Sequence, residues 1–217
     1  MKKFVMGFLF VSATAFSADA SRLDQVLARL EQAEKEVRTL SFDFTQTTSL
    51  SVGRGPTEIV GSALFERPSR FRVEQSSPEP QTIVSNGKVF WVYLPDRGQA
   101  IKDSMDNWAK AAGFPQGLTP FRMNVNEMKK KYDFSLDETS GQTVLVMTPR
   151  ESGSFDYTLR LWIDLNTGLA MKTELESEAV RAVVTVRNAR VNPPIKDAPF
   201  KFVPPKGTDV LEMPFTK

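Results

Sequence analysis

From Ser41 to Arg190 the chain is written largely in period two, in short runs closed off by turn residues. Phe42 and Phe44 alternate with Asp43 and Thr45, and Ile59, Ala63 and Phe65 share one parity of the next run. Phe71 and Val73 stand between Arg70, Arg72 and Glu74. Val89, Trp91 and Tyr93 fall on one face of a further run, bounded by Asn86-Gly87 and Pro95-Asp96. Residues 131–138 and 142–148 meet through Ser140-Gly141. Phe155, Tyr157, Leu159, Leu161 and Ile163 then alternate strictly with polar or outward positions. Asn166-Thr167-Gly168 turns that run into 169–177, and 180–190 is the last long one. Alternation of this kind makes strands with one buried face. About eleven such strands, mostly in meander order, predict a mainly β (α+β) fold, a strongly curved sheet or incomplete antiparallel barrel.

Helical spacing is confined to three places. Leu23, Val26, Leu27, Leu30, Ala33, Val37 and Leu40 recur at steps of three and four, which predicts a helix over 22–40 with one apolar stripe. Its other face carries Glu31, Glu34, Lys35, Glu36 and Arg38, a solvated surface. Residues 103–112 and 119–130 lack alternation and are separated by Gly113, Pro115 and Gly117, so they read as two short helices set between strands. The proline-rich tail from Pro193 to Lys217 reads as a strap along the sheet, anchored by Phe200 and Phe202. Sixteen phenylalanines are enough to line an interior. A sheet of this size must fill that interior with its own side chains or enclose a space, and helices resting on the concave side could plug it as a lid.

Residues 1–20 have the form of an export signal. Lys2 and Lys3 precede an apolar run from Phe4 to Phe16, and Ala18-Asp19-Ala20 supplies a small-x-small cleavage pattern. The run is shorter than the roughly 20 residues of a membrane-spanning helix. Cleavage after Ala20 would leave a soluble exported domain, residues 21–217, in the periplasm. With no cysteine and no histidine, the chain has no disulfide, thiolate nucleophile, sulfur-ligated metal or imidazole chemistry. No cofactor or metal is expected, and an enzyme is not. The formal charge of +2 loses two lysines and one aspartate with the leader, leaving +1. That balance argues against a nucleic-acid partner, which needs a concentrated basic face.

Several short motifs then line up in order. Phe44-Thr45-Gln46 follows the first helix. Arg67-Pro68 has Phe71 behind it, Val84-Ser85-Asn86-Gly87-Lys88 makes a hairpin, and Trp91-Val92-Tyr93-Leu94-Pro95 is followed by Gln99. Thr119-Pro120-Phe121 opens the second mid-chain helix, and Phe200-Lys201-Phe202-Val203-Pro204-Pro205-Lys206-Gly207 lies near the end. Taken together, in this order and after an export signal, the set resembles the outer-membrane lipoprotein carrier protein family (LolA) over almost the whole mature chain. Asn86 stands where that family more often has Asp, an exchange the turn tolerates.

The resemblance implies an incomplete eleven-stranded barrel with a helical lid over an apolar cavity. It implies a carrier of acylated lipoproteins, loaded by an inner-membrane ABC transporter and unloaded onto an outer-membrane acceptor. Arg67 matches the family arginine that latches the lid, and Phe71 an aromatic residue near the cavity mouth. From the residues alone, Phe42, Phe44, Phe65, Phe71, Trp91 and Tyr93 would be packed core; the resemblance makes them the expected acyl-chain-lining set. Lys129, Lys130 and Lys131 read as surface, with contact to anionic headgroups as the alternative. A monomer is expected. The competing functional reading is a related half-barrel that senses mislocalised lipoproteins or lipids rather than carrying them.

Overall fold

The computed structural model describes residues 14–53, 55–107, 124–138, 141–151 and 156–212, with side chains from Ser21 onward. One helix, α1 (Thr14–Glu36), leads into β1 (Thr39–Leu50), β2 (Thr57–Glu66), β3 (Arg70–Ser77), β4 (Gln81–Asn86), β5 (Val89–Leu94) and β6 (Gln99–Ser104). A short helix, α2 (Val125–Lys131), precedes β7 (Tyr132–Asp137), β8 (Val144–Pro149), β9 (Tyr157–Asp164), β10 (Leu169–Ser177) and β11 (Val180–Val191). The tail supplies β12 (Asp209–Glu212).

Among the described residues these strands form one sheet in the order β12-β6-β5-β4-β3-β2-β1-β11-β10-β9-β8-β7. Every pairing is antiparallel except that of β12, which runs parallel to β6. The eleven predicted strands are therefore present, as two meanders, β1–β6 and β7–β11, joined through the β1–β11 pair, open between β6 and β7 and extended by one strand. Register shifts interrupt β1 against β11, β2 against β3, and β9 against β10. An extra residue on one side of a ladder bends and twists it, so these three positions curve the sheet around one face.

That inner face holds two apolar clusters, and α1 lies across both. Val26, Leu27 and Leu30 pack with Leu145, Met147, Leu159, Leu161 and Ile163 of β8 and β9 and with Val125 and Met128 of α2. Ala33, and Val37 just past the helix end, pack with Leu40, Phe42, Phe65, Phe71 and Phe90. The helix ends at Glu36 rather than at residue 40 because Thr39 and Leu40 pair with Glu66 and Phe65 as the start of β1. The Asn192 carboxamide oxygen accepts from the Arg38 and Thr39 amides at 2.8 and 3.2 Å, which fixes the break.

Of the two mid-chain helices, the first begins at Met105 instead of 103, because β6 continues to Ser104. The Ser104 hydroxyl accepts from the Asn107 amide at 3.1 Å, as a helix start requires. The second is seen as α2, capped by the Asn124 side chain on the Glu127 amide at 2.9 Å. The stretch 108–123 between them lies outside the described residues.

The turn from β9 to β10 is the seat of α1. Arg29 donates from Nε to the Leu165 carbonyl at 3.0 Å and from Nη2 to the Asn166 carbonyl at 2.6 Å. Gly168 has φ +69°, and a Cβ there would stand 2.6 Å from the Ala33 Cβ. Gly168→Ala therefore incurs both backbone strain and a clash that lifts the helix. The expected cost is about 2 kcal/mol, read as a lower urea midpoint with an unchanged slope.

Candidate functional site

The second cluster is built around a row of phenylalanine rings contributed by four strands. Phe44 meets Phe42 edge-on at 6.4 Å, Phe42 stacks on Phe65 at 5.8 Å, Phe65 tilts against Phe71 at 5.9 Å, and Phe71 against Phe90 at 6.2 Å. Register explains the alignment. Leu40 faces Phe65, Phe65 faces Phe71, Phe71 faces Ser85 and Ser85 faces Phe90, so all of them project to one side. The next rung is Phe42, Ala63, Val73, Ile83, Val92 and Ile101, and the one after begins with Phe44 and Gly61. A Cβ on Gly61 would press on the Phe44 ring at 2.9 Å and on the Glu74 carbonyl, so glycine there is what lets this ring lie flat on β2.

Cover over this wall is uneven. Leu40, Phe65, Phe71, Ser85 and Phe90 are buried, under Ala33, Val37 and the Met105 side chain. Phe44, Val73, Ile83, Val92 and Ile101 are only half-buried. Among the described residues the inner face is thus closed at the end where α1 enters β1 and less covered toward the other. It is apolar, with no ionisable side chain on its first two rungs except Asp103, opposite Phe90. The Asp103 carboxylate accepts from the Ser104 amide at 2.6 Å and the Asn107 carboxamide at 3.0 Å.

Phe42, Phe44, Phe65 and Phe71 are therefore brought together as expected on the inner face. Trp91 and Tyr93 are not, and the expectation for these two is corrected. Trp91 pairs with Val84 and Tyr93 with Thr82, on the opposite parity from Phe90 and Val92. They lie on the outer face, where Phe202 from the tail packs on both rings at 5.4 and 5.5 Å. Phe90 is the inner-face aromatic that alternation alone misses. The run Val89-Phe90-Trp91-Val92-Tyr93-Leu94 is apolar at every position, so its parity carries no signal. A signal lay elsewhere: the tail anchor Phe202 needs an apolar surface, and Trp91 and Tyr93 provide it.

The strap is held firmly. Phe200 is buried, the Arg70 guanidinium lies over its ring at 4.5 Å, and Arg72 donates to the Pro199 carbonyl at 3.3 Å. Arg70 also pairs with Asp197 at 2.7 Å. That hydrogen bond holds the Asp197 carboxyl below the usual carboxylate range. The tie is present at neutral pH and is lost as pH falls through the lowered value. Beside the strap an open groove of about 720 Å³ runs over the outer face, lined in part by Ser41, Asp43, Ser62, Leu64 and Arg72. Its lining mixes charged and apolar groups and includes Phe42 and Ala63, which also belong to the wall, and Ala189, which packs against it.

Arg67 follows β2 in the turn to β3. Its Nε donates to the Val37 carbonyl at 2.9 Å, and its amide donates to the Arg38 carbonyl at 2.9 Å. The described contacts thus join the turn to the C-terminal end of α1 at the closed end of the wall. Lys129 and Lys130 pair with Glu31 and Glu127 at 2.6 and 2.7 Å, which supports their reading as surface. Among the described residues, no group of three or more acidic, histidine or cysteine side chains is placed to hold a metal, and no helix is long and apolar enough to cross a membrane.

The family model described as "Outer membrane lipoprotein carrier protein LolA" matches residues 35–203. The outer-membrane lipoprotein carrier protein of Coxiella burnetii (strain CbuK_Q154) is 28% identical over 213 residues, spanning 97% of this chain and 98% of its own. A protein of the same name from Glaesserella parasuis serovar 5 is 30% identical over 212 residues, with 97% and 95% covered. Among solved structures, an uncharacterized conserved protein from Thermus thermophilus superposes with a TM-score of 0.55 at 16% identity, over 88% of this chain and 99% of that one. The last likeness concerns the fold alone.

Proposed function

Since the chain belongs to the outer-membrane lipoprotein carrier family, we propose that its inner wall holds the acyl chains of lipoproteins in transit between two membranes. The observation that carries this reading is the half-open apolar wall, which continues beyond the buried rings of Phe42, Phe65, Phe71 and Phe90 to the half-buried Phe44, Val73, Ile83 and Val92. Phe42, Phe44, Phe65, Phe71 and Phe90 are its acyl-facing residues, while Trp91 and Tyr93 belong to the outer face.

Elementary energetics give the need for such a wall. A methylene left in water costs about 0.8 kcal/mol, so an acyl chain of about sixteen carbons carries about 13 kcal/mol of exposure. A wall of apolar side chains removes that cost in the aqueous space between membranes. Release must also be possible. The empty wall is partly satisfied by Ala33, Val37 and Met105, so a guest gains only the difference between its own packing and the contacts it displaces. The segment 1–20 acts as an export signal cleaved after Ala20, which places residues 21–217 in the periplasm. An inner-membrane ABC transporter loads the carrier and an outer-membrane acceptor unloads it.

Arg67 acts in this scheme as a latch. Its bond to the Val37 carbonyl stabilises the arrangement in which α1 sits on the wall. A neutral-acceptor bond of this kind is worth roughly 1 kcal/mol, enough for about a five-fold change in an equilibrium. Arg67→Leu should favour the loaded form and slow release of a bound lipopeptide several-fold in stopped-flow measurements; an unaltered release rate would remove the latch from the scheme. The function itself is tested by mass spectrometry of material co-purifying with the mature chain from periplasm. Acylated lipoproteins are the expected cargo, and a clean, ligand-free protein that also fails to take up an apolar fluorescent probe would refute the carrier reading.

A further inference from the structure

The inner wall does not end abruptly in solvent. Its third rung, toward the open end, is Phe44, Gly61, Gln75 and Gln81, continued by Leu94 and Gln99. Gln46 follows two residues beyond Phe44 on the same parity of β1. Three carboxamides thus stand on one rung and a fourth beside it, directly after two rungs dominated by phenylalanine, valine and isoleucine. All four are half-buried. Gln75 donates to the Glu79 carbonyl at 2.8 Å and Gln46 to the Thr48 hydroxyl at 3.4 Å. Among the described residues Gln81 and Gln99 make no side-chain hydrogen bond, and the rung carries no lysine or arginine.

We propose that Gln75, Gln81 and Gln99, with Gln46, form a carboxamide rim that recognises the ester and amide carbonyls through which acyl chains join the lipoprotein. The inference rests on the acyl-carrier reading and adds a polar subsite to it. Where acyl chains run along the apolar rungs, the linkage carbonyls reach the rim and meet amide N–H donors. A half-buried carbonyl left without a donor loses its water and gains nothing, so a donor at this depth decides between ligands. Among the described residues the rung offers no cation to a free fatty acid, whose carboxylate would be desolvated there without a counter-charge. It therefore selects neutral, linked acyl groups over free acids.

The test compares Gln81→Leu/Gln99→Leu with the parent chain on two probes, a synthetic triacylated cysteinyl lipopeptide and the hydrocarbon diphenylhexatriene, which has no carbonyl. Loss of two donor bonds should weaken the lipopeptide roughly ten-fold, while diphenylhexatriene binds as before or tighter. Gln81→Glu/Gln99→Glu keeps the shape but removes the donors, and it should lose lipopeptide affinity as well, which guards against a misfolded leucine pair. Unchanged lipopeptide affinity in either pair overturns the rim, as does an equal loss for both probes. If the parent chain binds neither probe, the acyl-carrier reading fails and the rim with it; if it binds both but the variants do not discriminate, the rim alone fails.

Discussion

Replacing Phe71 by glutamate should abolish uptake of acylated ligand and destabilise the fold in a pH-dependent way. Phe71 is buried between Phe65 and Phe90, with ring centroids 5.9 and 6.2 Å away. An ionised carboxylate at this place is removed from water among rings that cannot bond to it, at a cost of several kcal/mol. The new carboxyl is pushed toward its neutral form, so its affinity for a proton is higher folded than unfolded. The penalty is smallest where both states are protonated, and it grows as pH rises above the unfolded value. Urea midpoints at pH 5 and pH 8 should therefore separate more for the variant than for the parent. Val92→Glu separates function from folding. Val92 is half-buried on the same wall, so the variant should melt close to the parent yet lose apolar probe binding by at least ten-fold. A Val92→Glu chain that loads lipopeptide normally would contradict the assignment of the wall.

Leu161→Ala should behave in the opposite manner. Leu161 is fully buried in the first cluster, among Leu145, Leu159 and the Val26 and Leu30 side of α1. Truncation leaves a cavity and costs about 2–5 kcal/mol. Because this cluster is the fixed core under the helix, the protein that remains folded should bind the apolar probe within about two-fold of the parent. A comparable loss of binding would mean that acyl chains enter the β7–β9 end of the sheet. The two substitutions together divide the interior into a permanent core and an exchangeable wall.

The legibility of this division in the sequence varied with the chemistry of each strand. In β1 and β3, charged residues occupy the outer parity, Asp43 between Phe42 and Phe44 and Arg70 and Arg72 around Phe71, so the inward side is written plainly. In β5 both parities are apolar, because the inner wall and the tail each demand a greasy surface. Periodicity alone then assigns Trp91 and Tyr93 to the wrong side and misses Phe90. The short strand β12 gives no alternation to read, since Asp209 to Glu212 are exposed and gain their order from pairing with β6. Leu40 satisfies the helical stripe and the strand parity equally, and only its pairing with Phe65 places it in β1. The partner of Arg67 is a main-chain carbonyl, a group that every residue has and no motif marks. The carboxamide rim escaped for a similar reason. Gln46 and Gln99 stand in motifs and Gln75 and Gln81 do not, and nothing in the sequence relates the four until the register lays them along one end of the wall.

Neighbouring positions on β5 offer the most direct test of the central claim, because Val92 and Tyr93 face opposite sides of the same strand. A photo-crosslinking amino acid is placed at either position, and the chain is loaded with an acylated lipopeptide and irradiated. Strong labelling from position 92 and little from position 93 is the expected result. Labelling from 93 alone, or none from 92 while lipopeptide remains bound, would put the acyl chains somewhere other than the phenylalanine wall.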